Sequence, residues 1–140
     1  MPLDGLDRWR DLSQLALRLL TGAFLIHETL DNVISPARMA EFAAYLAHFG
    51  FPAPALMAPL SVAVQFACGA LLALGLLTRW AGLLIAANFV VGVVMVHWAE
   101  SFRGWWPAIV LVFIGLHFAT HGAGRISLDH WRAVRGQRGG

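Results

Sequence analysis

The chain has 140 residues, of which 59% are hydrophobic and 13% charged, and its mean hydropathy is +0.67. Soluble domains carry about 25% charged residues, so this composition excludes an ordinary water-soluble domain. All ten basic residues are arginines and the formal net charge is only +2, which gives no support to nucleic-acid binding. The single cysteine, Cys68, excludes an internal disulfide and a cysteine-rich metal motif.

Apolar blocks of about 20 residues match the hydrocarbon thickness of a bilayer, and the chain contains four such blocks. The first, about 12–34, is the most polar and is closed by Pro36, because proline lacks an amide hydrogen and disfavours helix in its predecessor. Between residues 38 and 49 apolar residues recur at helical spacing, which predicts a short interfacial helix. The second block, about 55–77, is rich in alanine and glycine, which permit close helix contact in lipid.

A very short turn at 78–80 precedes the third block, about 81–98, so we expect the second and third helices to form an antiparallel hairpin. The fourth block, about 105–120, is the shortest, and an arginine-rich tail follows over 122–140. The sequence therefore predicts an all-α membrane protein. Its expected architecture is a four-transmembrane-helix bundle with a short interfacial helix between the first and second spans, in contact with the lipid bilayer.

The arginines sort by side once four crossings are assumed. Arg38 and Arg103 fall on one side, and seven others fall on the opposite side: Arg8, Arg10, Arg79, Arg125, Arg132, Arg135 and Arg138. Because cytoplasmic segments carry the excess of basic residues, both termini are expected in the cytoplasm.

Several local sequences resemble the DoxX family of small bacterial membrane proteins. They are LRLLTGAFLIH in the first block, FGFPAP before the second, GALLALGLLTRWAGLL across the hairpin, His97, and GAGRISLD after the fourth block. The resemblance covers nearly all of residues 17–129. It implies a four-helix bundle in the bacterial inner membrane and quinone-linked redox chemistry, as in the membrane subunit of thiosulfate:quinone oxidoreductase. The chain departs from the family pattern at Gln65, where glutamate is common, and at Glu28, where a glycine often follows the histidine.

Ionisable side chains in hydrocarbon are costly, so each is a functional candidate. A helix rises about 1.5 Å per residue, which places His27 on the first helix and His97 on the third at the same outer level. Together with Glu28 and Glu100 they predict an outer cluster, to which Asp31 and, as a lid residue, His48 would belong. Imidazoles and carboxylates of this kind hold a metal, exchange protons with a quinone, or hydrogen-bond one another.

A second candidate group lies toward the inner side. His117 and His121 are four residues apart and share a helix face, and Arg18 lies at comparable depth. This group predicts binding of a quinone carbonyl or an anionic group, or else Arg18 simply extends to the inner interface. Gln65 and Asn88 are assigned to an interhelical hydrogen bond near mid-membrane.

Four functions remain open from the sequence. The first is a quinone-reactive redox component, and the second is a non-catalytic membrane subunit that anchors a partner enzyme; in both, electrons would come from a protein partner. The third is a haem b protein with His27 and His97 as axial ligands, which are also the metal-ligand candidates. The fourth function, a transporter or channel, ranks last because the sequence shows no internal repeats or interrupted hydrophobic segments. Association of identical copies is left open.

Overall fold

The computed structural model describes residues 3–138, a range that is helical and contains no β-strand. A 3₁₀ helix (Asp4–Trp9) leads directly into α1. The helices are α1 (Arg10–Ile34), α2 (Pro36–His48), α3 (Pro54–Leu74), α4 (Thr78–Gly92) with a π-helical continuation (Val93–His97), α5 (Phe102–His121) and α6 (Leu128–Arg138). The predicted all-α class is confirmed.

Three of these helices are long and apolar enough to cross a membrane: Pro54–Leu74, Thr78–His97 and Phe102–His121. Helix α1 has 25 residues, but Arg18, Glu28 and Asp31 make it more polar than the others. Among the described residues the candidate spans therefore number three, one fewer than the sequence predicted. Helix α2 forms where a short helix was expected, and its location at a membrane interface stays a prediction.

The hairpin turn lies a few residues before its predicted position. Gly75 ends α3 with a φ of 66°, and the Gly75 and Leu76 amides donate to carbonyls of the last helical turn, an ending that glycine favours because it has no Cβ. Residues 78–80, expected as the turn, form the start of α4. Helix α5 was expected to be the shortest span, but it has 20 residues because it begins at Phe102. The predicted tail contains α6, and its last two residues lie outside the described range.

Each long helix packs on the next long helix of the chain: α1 packs on α3, α3 on α4 and α4 on α5. The shorter helix α2 packs on α3 and α1. Glycines make two of these contacts close. A Cβ added at Gly22 would lie 2.5 Å from the carbonyl oxygen of Gly69 on α3, and one added at Gly82 would lie 2.5 Å from that of Gly115 on α5. These contacts agree with the expectation that small residues permit the close packing of α3, since both Gly69 and Ala73 lie against Gly22.

The core lies where α1, α3, α4 and α5 meet. Its fully enclosed side chains include Leu25, Leu72, Ile85 and Phe118, and Cys68 is buried among them as a free thiol. Large apolar side chains on the outer faces are instead exposed, as at Leu56 and Phe113. Apolar side chains inside and outside are the pattern of helices that contact lipid.

We call the end of the molecule that carries the α3–α4 turn the hairpin end, and the opposite one the α2 end. Segment 122–129 crosses the hairpin end and is fixed there by hydrogen bonds. The Asp129 carboxylate accepts from the amides of Leu77 (2.8 Å) and Thr78 (2.9 Å) at the start of α4. The Arg125 amide donates to the Asp11 carboxylate of α1 at 2.8 Å. The hairpin end is thus tied together by residues distant in the sequence.

Candidate functional site at the α2 end

A cavity of about 320 Å³ lies between α2, α3 and α4 toward the α2 end. This volume is at the lower end of the range for small-molecule sites, about 300–1,000 Å³. Most of its wall is apolar or aromatic, and a few polar groups converge on it. The lining residues are Phe42, Tyr45, Leu46, Phe51, Met57, Leu60, Ser61, Gln65, Asn88, Phe89, Val91, Gly92, Val96 and His97.

A short hydrogen-bond chain forms the polar part of the wall between α3 and α4. The Ser61 hydroxyl donates to the Asn88 Oδ1 at 2.9 Å, and the Gln65 Nε2 donates to the Ser61 Oγ at 3.1 Å. The predicted link between Gln65 and Asn88 is therefore present, but it runs through Ser61. All three side chains line the cavity, so the amide groups that join the helices also face the space where a ligand would lie.

His97 lies at the edge of the same cavity and forms a pair with Glu100. Its Nδ1 is 3.1 Å from the Glu100 Oε2, and the two side chains are 29% and 41% exposed. His97 is the last residue of the π-helical turn that continues α4, and such turns occur often at functional sites because the extra residue shifts the side chains that follow. The turn also contributes Val96 to the lining.

Helix α2 supplies the aromatic wall. Its start is set locally, since Pro36 occupies the first turn and the Ser35 hydroxyl accepts from the Arg38 amide at 3.4 Å. Phe42 and Tyr45 are one turn apart and both line the cavity, with ring centroids 6.5 Å apart. Leu46, which is buried, anchors the same face against the rest of the molecule.

The predicted outer cluster does not assemble as a single group. The structure brings His97 and Glu100 together at the cavity, whereas the His27 Nδ1 lies 3.5 Å from Glu28 on α1, with side chains 85% and 54% exposed. Asp31 accepts from the amide of its neighbour Asn32. His48 contacts the Phe49 ring and is absent from the cavity lining. Within residues 3–138 no three His, Cys, Asp or Glu side chains are grouped so as to hold a metal ion.

The predicted inner group of His117, His121 and Arg18 does not form a single site either. His117 and His121 stack with ring centroids 4.3 Å apart, and the His117 Nε2 is 2.9 Å from the Gln14 Oε1. They line a separate cavity of about 530 Å³ at the hairpin end, which Arg18 does not line.

The Arg18 guanidinium is instead buried and donates to the Ile126 carbonyl. Its Nη1 lies directly against Gly75, where a Cβ would overlap it. Segment 122–129 thus covers the Arg18 side chain at the hairpin end, and its extension to a membrane interface stays a prediction.

The cavity at the α2 end is suited to a mostly apolar ligand that carries polar atoms at one edge. The carboxamides of Gln65 and Asn88 and the Ser61 hydroxyl offer both donors and acceptors. With Nδ1 engaged by Glu100, the Nε2 of His97 has no protein partner in the described part of the chain. This ring nitrogen can donate or accept a hydrogen bond, depending on the tautomer.

The sequence singled out His97 and its partner Glu100, but not Tyr45 or Ser61. Tyr45 lies three residues after Phe42, a spacing that predicts a shared face of α2 and was the available signal. Ser61 precedes Gln65 by one helical turn, and this spacing was the available signal for the hydrogen-bond chain.

The family model described as DoxX matches residues 13–98 of the chain. This range includes α1 except for its first three residues, α2 to α4 and the whole lining of the cavity at the α2 end. It confirms the resemblance that the sequence motifs predicted. Helix α5 and the GAGRISLD segment lie beyond the matched residues. Neither a curated protein nor a solved structure matches the chain.

Proposed function

Because the chain belongs to the DoxX family, we propose that it is a quinone-linked redox component of the bacterial inner membrane. The quinone head group would occupy the cavity at the α2 end. The observation that carries this proposal is the combination of an apolar, aromatic cavity with the Ser61–Gln65–Asn88 chain on one wall and His97 at its edge. A quinone needs this combination, since its ring and tail are apolar and its carbonyls accept hydrogen bonds.

The roles of the residues follow from their chemistry. Reduction of a quinone to a quinol takes up two electrons and two protons. We assign the protons to the His97–Glu100 pair, which is partly exposed and so connects the cavity to water. The carboxamides would orient the carbonyls, and Tyr45 and Phe42 would cover the ring. The electrons would come from a redox group of a protein partner.

Four membrane crossings are part of the proposal. Helix α1 is about 37 Å long at 1.5 Å per residue, enough to span the hydrocarbon core, and it packs along α3 through Gly22 and Gly69. Arg18, the charged residue nearest the middle of α1, is covered by protein and would not meet lipid. The hairpin end, which has most of the arginines, would face the cytoplasm together with both termini. A tag on the carboxyl end that reacts only from outside intact cells would contradict this orientation.

The binding proposal is tested with purified protein in nanodiscs and a short-chain quinone that carries a decyl tail. Binding is followed by quenching of the intrinsic fluorescence, with decylbenzene as the apolar ligand without carbonyls. His97→Gln is the test variant and His27→Gln the matched control, because both histidines lie toward the α2 end and only His97 lines the cavity. Loss of one buried hydrogen bond, about 1–3 kcal/mol, raises the Kd about tenfold.

We expect the quinone to bind more tightly than decylbenzene, His97→Gln to weaken it about tenfold, and His27→Gln to leave it unchanged. Equal binding of the quinone and decylbenzene would mean partition into lipid and would overturn the proposal. So would equal effects of the two substitutions. A non-catalytic anchoring subunit, the alternative role, would show neither the preference nor the effect of His97.

A further inference from the structure

Helix α6 is the most cationic element of the fold and has no buried side chain. Its 11 residues include Arg132, Arg135 and Arg138, and Arg125 precedes it, so that four arginines accompany the single carboxylate of Asp129 between residues 122 and 138. All four arginines are exposed. An isolated polar tail would not need to be helical or to be fixed against the rest of the chain, yet α6 is both.

The start of α6 is fixed at the hairpin end. The Asp129 carboxylate accepts from two amides at the start of α4, and the Asp129 amide donates to the Gly75 carbonyl at 2.9 Å. These bonds hold the helix at the level where the apolar α3–α4 hairpin ends. Trp80 lies at the same level and is 66% exposed, a position typical of tryptophan at a membrane interface.

The fixed side of α6 determines which face is free. At 100° per residue, Trp131 and Arg138 lie opposite Asp129, with Arg135 between Trp131 and Leu128. The Arg135 guanidinium carbon lies 4.1 Å from the centre of the Trp131 ring. Trp131 is 51% exposed and Leu128 39%. The free face thus combines apolar side chains with guanidinium groups.

We propose that the free face of α6 lies on the membrane surface at the hairpin end and binds anionic phospholipid head groups. Interfacial helices have this composition, with tryptophan and leucine at the acyl boundary and cations on the phosphates. Guanidinium groups match phosphate oxygens in two-point hydrogen bonds. The inference rests on the proposed membrane placement of the α3–α4 hairpin and is independent of the quinone cavity.

The experiment compares head groups on the detergent-purified full chain. Binding of phosphatidylglycerol and of phosphatidylcholine with identical acyl chains is measured by native mass spectrometry, and inorganic phosphate and a short RNA are added as competitors. The test variant is the double substitution Arg135→Gln and Arg138→Gln, which removes the two arginines of the free face. The matched control is Arg38→Gln and Arg103→Gln, which removes two exposed arginines at the α2 end.

Each arginine near an anionic surface contributes about fivefold to binding, so the test variant should bind phosphatidylglycerol at least about tenfold more weakly than the unmodified chain. The control variant should bind it as tightly as the unmodified chain, and phosphatidylcholine should bind weakly to all three proteins. Equal binding of the two lipids, or equal losses in both variants, would overturn the inference. Displacement by millimolar phosphate would indicate a site for free phosphate, and displacement by RNA would indicate a nucleic-acid surface; either would overturn it. Quinone binding should be unchanged in the test variant, which separates this inference from the proposed function.

Discussion

The α4–α5 contact offers a quantitative test of the fold through Gly82→Ala. The added Cβ would lie 2.5 Å from the Gly115 carbonyl oxygen, 2.8 Å from the Ala119 amide nitrogen and 2.9 Å from the Phe118 Cβ. Since two of these atoms are backbone and the third is the first side-chain atom, a change of rotamer cannot relieve the contact. The helices must separate by about 1 Å to restore ordinary contact distances.

The magnitude follows from two opposing effects. Overpacking of this kind costs about 1–3 kcal/mol, while alanine gains up to about 1 kcal/mol over glycine in a helix interior. The net expectation is a loss of about 1–2 kcal/mol in the free energy of unfolding. Gly92→Ala is the matched control on the same helix, because its Cβ would meet nothing within 4 Å, so it should gain about 0.5–1 kcal/mol.

The assay is reversible denaturation with sodium dodecyl sulfate in mixed micelles, followed by circular dichroism. We expect the midpoints of the two variants to move in opposite directions from that of the unmodified protein. Equal midpoints for Gly82→Ala and Gly92→Ala would show that α4 and α5 do not approach at Gly82, and the helix arrangement would then be incorrect.

Three further predictions concern other sites. Asp129→Ala should lower the free energy of unfolding by about 1–2 kcal/mol in the same assay, since it removes the acceptor for two amides at the start of α4, and Asp129→Asn should recover part of this loss. Cys68 should react with a maleimide only after denaturation, because it is buried; rapid labelling of the folded protein would contradict the core. An absorbance spectrum of protein from native membranes, oxidised and reduced, tests haem ligation by His27 and His97, and a spectrum without haem bands would remove that prediction.

The sequence predicted the helical elements well because the length of an apolar block and the position of a proline are read from neighbouring residues alone. The hairpin of α3 and α4 and the short helix α2 both form as the sequence predicted, although the hairpin turn lies a few residues earlier than expected. Errors arose at helix ends: Gly75 ends α3 before the last apolar residues of the block, so Leu76 and Leu77 belong to the turn and not to the span. Hydropathy alone cannot show this, because it does not distinguish a helical leucine from one in a turn.

Contacts between distant segments could not be predicted in the same way. Arg18 and the Ile126 carbonyl are 108 residues apart, and the pattern around Arg18 indicated depth but not the segment that covers it. Asp129 likewise provides the acceptors for the start of α4, which has no side-chain cap of its own. Shared depth predicted that His27 and His97 could meet, but depth does not fix which face of α1 is turned inward, and His27 lies on an exposed one.

The two ends of the molecule differ in a way that bears on how a ligand would enter. At the hairpin end, Asp129 and Arg125 bond to residues of other helices, and Arg79 donates to the Ala119 and Thr120 carbonyls of α5. At the α2 end, the ion pairs of His97 and of Arg38 with nearby glutamates stay within four residues in sequence and are exposed. Helix α2 packs on α3 and α1, but the side-chain hydrogen bonds at its start come from residues within six positions in sequence. We therefore expect a ligand to enter at the α2 end, because segments joined only by local polar contacts open at lower free energy than those joined by distant ones.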